Sequence, residues 1–107
     1  MADIMGLMKQ AQALQERMAE VQKDLESLEV EGAAGGGLVR VTLSAKGAMK
    51  GVTIDPSLLT SDEKEVLEDL LVAAHADARL KAERLADEKM KTVTAGLSLP
   101  PGMKLPF

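Results

Sequence analysis

Basic side chains recur at helical spacing in the last third of the chain, and their pattern carries the clearest chemistry. Lys81, Arg84 and Lys91 fall on one side of a predicted helix. Cationic groups in such a row can neutralise phosphates along a nucleic-acid backbone. They also belong to three i,i+4 pairs with carboxylates, which stabilise a helix without any ligand. These pairs are Asp77–Lys81, Arg84–Glu88 and Asp87–Lys91.

Five more cations extend this basic set. Arg79 and Lys89 lie in the same predicted helix, and Lys9, Arg17 and Lys23 lie in an earlier one, away from its apolar residues. Each also fits an ordinary solvated helix face, because acidic residues stand among them. Their types and spacing therefore leave phosphate binding and simple solvation both open.

Other chemistries lack the residues they need. The chain has no Cys, which excludes a disulfide framework and a thiolate zinc site. Its one His, His75, cannot form a two-His metal pair within the chain. With no Trp, no Tyr and one Phe, it also lacks the aromatic residues on which single-stranded bases stack. The glycine-rich residues 32–37 are not followed by the Lys-Ser/Thr of a phosphate-binding loop. We expect a non-enzyme with no cofactor, no metal site and no small-molecule substrate.

Length and charge narrow the class further. The chain has 107 residues, which predicts a single domain over 1–107. Lys and Arg total 13 against 17 Asp and Glu, a net charge of −4, which argues mildly against a nucleic-acid partner. Binding follows the placement of charge, however, and not its sum. Without a secretory signal or a membrane-length apolar run, we expect a cytoplasmic protein with no membrane partner.

The first third of the chain predicts a long helix with a narrow apolar seam. Apolar residues alternate at steps of three and four over four heptads. The seam comprises Ile4, Leu7, Ala11, Leu14, Met18, Val21, Leu25 and Leu28. Such a narrow seam needs a partner helix.

A small sheet is predicted next. The glycine-rich residues 32–37 should break the first helix. Residues 38–44 and 49–55 alternate and are rich in β-branched side chains, which predicts a β-hairpin with its turn at 45–48. Residues 28–32 also alternate and suggest a third, short strand beside it.

A second helix follows the sheet. Thr60 is a candidate capping residue with Glu63 three positions on, and the helix is expected to reach about Lys91. Its predicted apolar face comprises Leu67, Leu70, Leu71, Ala74, Ala78, Ala82 and Leu85. The Gly- and Pro-containing tail over 95–107 should lie extended on some surface or stay mobile. The fold class is α+β, with two long helices flanking a small antiparallel sheet, and dimerisation is the simplest way to hide their apolar surface.

Segments across the whole chain resemble the YbaB/EbfC family of bacterial nucleoid-associated proteins. The carriers are residues 8–12, 30–39, 52–59 and 67–74, together with the stretch from Gly96-Leu97 to Pro106-Phe107. The resemblance implies an α-β-β-β-α fold in a tweezer-like homodimer. It also implies binding of double-stranded DNA with little sequence preference, an influence on nucleoid organisation and gene expression, and a place at the nucleoid.

The resemblance favours DNA binding for the basic cluster as a whole. The candidate contact residues are Lys9, Arg17, Lys23, Arg79, Lys81, Arg84, Lys89 and Lys91. It also suggests that the glycine run packs closely at the dimer, which substitution of Gly36 would test. The alternative is a dimeric helical adaptor that binds another protein through its helical arms or tail and does not bind DNA.

Overall fold

The computed structural model describes residues 4–94 and confirms the α-β-β-β-α order. The predicted tail over 95–107 lies outside the described residues. The helices and strands are α1 (Ile4–Ser27), β1 (Glu29–Ala34), β2 (Val39–Ser44), β3 (Met49–Ile54) and α2 (Lys64–Thr94). No helix among the described residues is long and apolar enough to cross a membrane.

The three strands form one antiparallel sheet in the order β1-β2-β3. The inner positions of the central strand, Val39, Val41 and Leu43, are each 0% exposed. They pack against Ala74 and Ala78 of α2. The alternation that predicted β2 therefore places its apolar side chains under α2, as expected for a half-buried strand.

The end of α1 and the glycine-rich stretch differ from the prediction. The helix ends at Ser27, before the glycines, because β1 already begins at Glu29 and includes Gly32. The third strand thus exists and is longer than the 28–32 predicted. Residues 35–38 form the connection to β2, and its three glycines, residues 35–37, have positive φ angles of 64°, 69° and 96°. Glycine adopts such angles at little cost, so these residues make a tight turn where others would be strained.

The start of α2 also differs from the prediction. Thr60 stands at the N-cap of a short 3₁₀ turn, Ser61–Glu63, that leads into α2, but its side chain makes no capping hydrogen bond. Instead its backbone carbonyl accepts from the Glu63 N–H at 3.1 Å. The 3₁₀ turn thus supplies a backbone bond where a side-chain cap was expected, and α2 continues to Thr94, beyond the predicted Lys91.

Gly32 lets β1 lie directly against the backbone of α2. A Cβ placed on Gly32 would collide with the Ala78 N and the Ala74 O, and would lie 2.7 Å from the Ala78 Cα. Just after the end of β1, Gly35 lies against Leu70. As the chain advances through β1, its contacts move toward the N-terminus of α2. β1 therefore runs antiparallel to α2.

Because α1 precedes β1, this direction brings α1 to the C-terminal end of α2. A second apolar cluster forms there around Val21, Leu25, Ala45 and Val93. We call α1 together with residues 82–94 of α2 the arm. The heptad seam thus finds its partner helix within the same chain, but only over its C-terminal half.

The N-terminal half of α1 projects past the described end of α2. The molecule is 74 Å long and 26 Å wide, whereas the 31 residues of α2 account for only about 46 Å. Seam residues Ile4 and Leu7 are correspondingly 66% and 61% exposed. The arm therefore ends in a single helix whose apolar stripe is uncovered by the rest of the described chain.

The Gly32 contact predicts a strong effect of one added methyl group. Gly32→Ala should lower the free energy of unfolding by roughly 3 kcal/mol, because both colliding partners belong to helix backbone that cannot rotate away. Urea denaturation followed by circular dichroism measures this change. The matched control is Gly51→Ala in β3, where an added Cβ meets nothing within 4 Å. Equal stability of the two variants would contradict the close contact.

Candidate nucleic-acid interface

Six of the eight predicted contact residues belong to the arm. They are Lys9, Arg17 and Lys23 on α1, and Arg84, Lys89 and Lys91 on α2. Lys9 and Lys23 are exposed on the side of α1 that turns away from the packed seam. Arg84 and Lys91, seven positions apart, are exposed on the corresponding outer side of α2. Lys89 is half-buried, which makes it a poorer contact candidate.

Lys81 is engaged in holding β1 to α2. Its Nζ donates a 2.9 Å hydrogen bond to the Glu31 carbonyl and lies 3.2 Å from the Asp77 Oδ2. The Ala33 N–H donates to the same Asp77 oxygen at 3.0 Å. Two side chains one helical turn apart therefore bind the outer edge of β1, the edge that β2 does not pair. Asp77 and Lys81 thus provide hydrogen-bond partners for the Ala33 N–H and the Glu31 carbonyl, which would lack protein partners on an uncovered edge strand.

The bonds from Asp77 to the Ala33 N–H and to Lys81 stabilise the fold when the Asp77 carboxyl group is ionised. The Ala33 N–H bond, followed by the Lys81 bond, lowers the pKa of Asp77 below its ordinary value of 3.8. A carboxyl group with a lowered pKa in the folded state stabilises the fold above its unfolded pKa. This contribution is complete above about pH 4 and is lost as the pH falls through the lowered pKa.

Ion pairing elsewhere on α2 differs from the pattern predicted from spacing, and one pair that forms, Arg79–Glu83, was not among the three predicted. Arg79 pairs with Glu83 at 3.3 Å, and both side chains are largely exposed. This pair lies beside the sheet part of α2 and draws Arg79 toward its own helix. The Arg84–Glu88 pair predicted from spacing is absent from the ion pairs formed within residues 4–94.

Charge is distributed unevenly along the molecule. Five carboxylates and one lysine occupy residues 61–70, at the end of the molecule farthest from the arm. The arm itself carries six cations and seven carboxylates, so it is close to neutral. Phosphates are therefore repelled most strongly at the start of α2 and much less at the arm.

A shallow groove separates α1 from the end of α2. Arg17 lines it, but so do Glu20 and Asp24, with Thr92 opposite. The two carboxylates make this groove unfavourable for a phosphate. Within residues 4–94, no group of three or more acidic or His side chains is placed to hold a metal ion.

Comparison with known proteins settles the family. The sequence model of the YbaB/EbfC DNA-binding family matches residues 1–97. This chain belongs to the YbaB/EbfC DNA-binding family. A nucleoid-associated protein of Methylocella silvestris is 64% identical over 107 residues, with 100% of both chains covered. Another nucleoid-associated protein, from Agrobacterium fabrum, is 59% identical, again over 100% of both chains.

The fold of this YbaB/EbfC chain also occurs in a solved structure. The crystal structure of an uncharacterized protein from Helicobacter pylori superimposes with a TM-score of 0.74 at 21% sequence identity. The match covers 90% of this chain and 100% of the other. At that identity the similarity concerns the fold, and it supports the arrangement of two helices around three strands.

Sequence reasoning missed the role of the Asp77–Lys81 pair at the edge of β1. The spacing of four predicted the pair itself, and the structure confirms it at 3.2 Å. Nothing in the spacing indicated that both residues would also bond to a strand more than forty positions earlier. Only a prediction of which strand edge faces α2 would have found this contact.

Substitution of Lys81 should therefore lower stability. Lys81→Met keeps most of the side-chain length and removes the bond to the Glu31 carbonyl, so we expect a loss of about 1 kcal/mol. Thermal unfolding followed by circular dichroism measures it. The control is Arg84→Met, an exposed position on the same helix, which should leave stability within about 0.5 kcal/mol of the unsubstituted protein. A larger effect at Arg84 than at Lys81 would contradict the assignment.

Proposed function

We propose that this protein is a homodimeric, non-enzymatic component of the bacterial nucleoid that binds double-stranded DNA through its arms. Contacts run mainly from Lys and Arg to phosphates, so sequence preference is low, because phosphates carry no direct sequence information. Binding of this kind influences nucleoid organisation and gene expression from the cytoplasm. Family membership and the names of the relatives support DNA as the partner.

The observation that carries this proposal is the exposed outer row of Arg84 and Lys91 on a projecting arm. At about 1.5 Å per residue, their seven-residue spacing is about 10 Å, within reach of neighbouring phosphates on one duplex. Lys9, Arg17 and Lys23 add weaker candidates on α1. A dimer doubles every such contact, so two weakly charged arms bind one duplex more tightly than a single arm does.

Uncovered apolar side chains on β3 support self-association. Val52 pairs with Val41, and Met49 pairs with Leu43, so each shares the sheet face of its partner. That face is fully buried at Val41 and Leu43, yet Val52 is 42% and Met49 53% exposed. The reason is that α2 lies mainly over β1 and β2. A second copy covering β3 would bury this strip and its open strand edge.

A charge on that strip should disrupt the dimer. Val52→Asp places a carboxylate on the face proposed to be covered, and the mass in solution measured by light scattering should fall from two chains to one. Thr53→Asp is the matched control, because the adjacent residue points to the opposite face of the sheet. A Val52→Asp protein that stays folded and dimeric would place the interface elsewhere.

Salt-dependent DNA binding tests the function. Anisotropy of a dye-labelled random-sequence duplex should show saturable binding that weakens steeply with salt, by about 0.9 log units per log unit of salt for each phosphate neutralised. The double variant Arg84→Gln/Lys91→Gln should bind about tenfold more weakly and with a smaller salt slope. Lys50→Gln/Lys64→Gln makes the same charge change away from the arm and should bind like the unsubstituted protein.

Two outcomes would contradict the proposal in different ways. Equal weakening in both double variants would mean that the arm is not the contact surface. Absence of binding at low salt would favour the protein-binding adaptor instead. In that case the exposed apolar end of α1 would be the first surface to search for a protein partner.

A further inference from the structure

Large apolar side chains are exposed close together near the N-terminal end of α1. Ile4, Met5, Leu7 and Met8 are each more than 60% exposed, and they stand within five consecutive residues. No other stretch of five residues within 4–94 exposes as many large apolar side chains. A contiguous apolar patch of this kind marks an interaction site on a soluble protein.

The charge content of α1 changes near its middle. Residues 4–15 contain one charged residue, Lys9, whereas residues 16–27 contain six. Lys9 lies opposite the seam in the heptad, so neither the seam nor the positions that flank it carry a charge over residues 4–15. The cores of protein–protein interfaces are depleted of charged residues in the same way, which distinguishes this half of α1 from a solvated helix.

We propose that residues 4–14 of two copies of this chain pair as antiparallel helices along their exposed seams. The expected occupant of the seam is a helix, because the steps of three and four that pack on α2 farther along α1 continue unchanged to Ile4. A second copy provides such a helix with the same apolar residues and with no like charge facing the seam. The same surface then serves on both copies, as a two-fold interface requires.

The covered half of each seam determines the direction of pairing. α2 packs on the seam at Val21 and Leu25. In a parallel pair, the two covered halves and their α2 helices would lie at the same level and would force the seams apart. In an antiparallel pair the covered halves lie at opposite ends, so only the exposed halves of the two seams overlap.

Side chains of compatible size face each other in the antiparallel pair. Ile4 lies opposite the partner's Leu14, and Leu7 lies opposite the partner's Ala11, because the two seam positions of a heptad alternate across such a pair. Leu14 is half-buried, so the paired stretch ends there. Gln10 of each copy flanks the seam beside the two-fold axis, where the two amides are within reach of each other.

The size of this contact makes the pair weak in free solution. It buries roughly 1,000 Å² in total, near the lower limit for specific interfaces. It therefore forms where the local concentration is high, as when copies lie side by side on one duplex. Its effect on DNA binding rests on the proposed function, because bound copies then stabilise one another through their arms.

Thiol cross-linking of the full chain tests the pair, since the protein has no Cys of its own. In concentrated Gln10→Cys protein without DNA, a short bismaleimide should join two chains, which a denaturing gel detects. Gln12→Cys is the matched control, because residue 12 is also exposed but lies on the outer side of α1. It should give at least about fivefold less of the joined species, since the two thiols would lie on opposite sides of the pair.

A further substitution tests whether the seam holds the two copies together. Adding Leu7→Asp to the Gln10→Cys protein should lower the cross-linked yield at least about tenfold, because the pair would bury an unpaired carboxylate. Leu7 is exposed in the single chain, so this change should leave thermal unfolding unchanged. Ala13→Asp adds the same charge on the outer side of α1 and should leave the cross-linked yield unchanged.

Three results would overturn the proposal. Equal cross-linking at positions 10 and 12 would mean that the two copies do not meet along the seam. Cross-linking that survives Leu7→Asp would mean that the apolar residues do not hold the pair. Absence of cross-linking at position 10 would mean that the exposed end of α1 serves a different partner.

The same experiment separates this proposal from the proposed function. Because it uses no DNA, it detects pairing even in a protein that does not bind a duplex. Loss of cross-linking together with intact salt-dependent DNA binding would overturn the pair and leave the proposed function unaffected.

Discussion

Backbone contact between β1 and α2 sets the geometry on which the rest of the chain depends. Gly32 places strand backbone against helix backbone at Ala74 and Ala78, where any side chain on the strand would collide. At this short separation, the side chains of Asp77 and Lys81 reach the outer edge of β1 and bond to its backbone. The edge strand is thereby closed on the side that β2 leaves open. Removal of the close contact would separate both bonds at once.

The direction of β1 across α2 determines where the arm forms. Because β1 runs antiparallel to α2 and α1 precedes β1, α1 lies beside the C-terminal end of α2. The C-terminal half of the α1 seam packs there, with Val21 and Leu25 buried. Lys46 of the hairpin turn adds a 3.1 Å ion pair to Glu26 near the end of α1. One small sheet thus orients two helices that are each much longer than the sheet.

This arrangement places the most acidic segment of the chain, residues 61–70, away from the arm. The acidic start of α2 lies at the sheet end, and the exposed cations Lys9, Lys23, Arg84 and Lys91 lie on the arm. A net charge of −4 is therefore compatible with binding to a polyanion, since the strongest repulsion acts at the end of the molecule away from the nearly neutral arm.

Local pattern was sufficient for the secondary structure. Alternation of Val39, Val41 and Leu43 predicted β2, and the heptad steps of α1 predicted a helix with one seam, because side-chain direction in strands and helices depends on short-range geometry. The apolar face of α2 was likewise predicted, and Ala74 and Ala78 are fully buried. Boundaries were less predictable. Gly32 was predicted to be part of a helix-breaking segment, yet it lies within β1. Because it has no Cβ, the strand can contact the backbone of α2 more than forty positions later in the chain.

The sequence by itself determined the order of elements, the family, the polarity of each helix face and the uneven distribution of charge along the chain. Only the tertiary structure decided which cations stay available. Lys81 and Arg84 are three residues apart on the same predicted helix face, but the Lys81 side chain bonds to the outer edge of β1, whereas the Arg84 side chain is exposed. The difference arises because a helical pattern records which residues share a face, whereas the partner of that face is set by packing between distant segments.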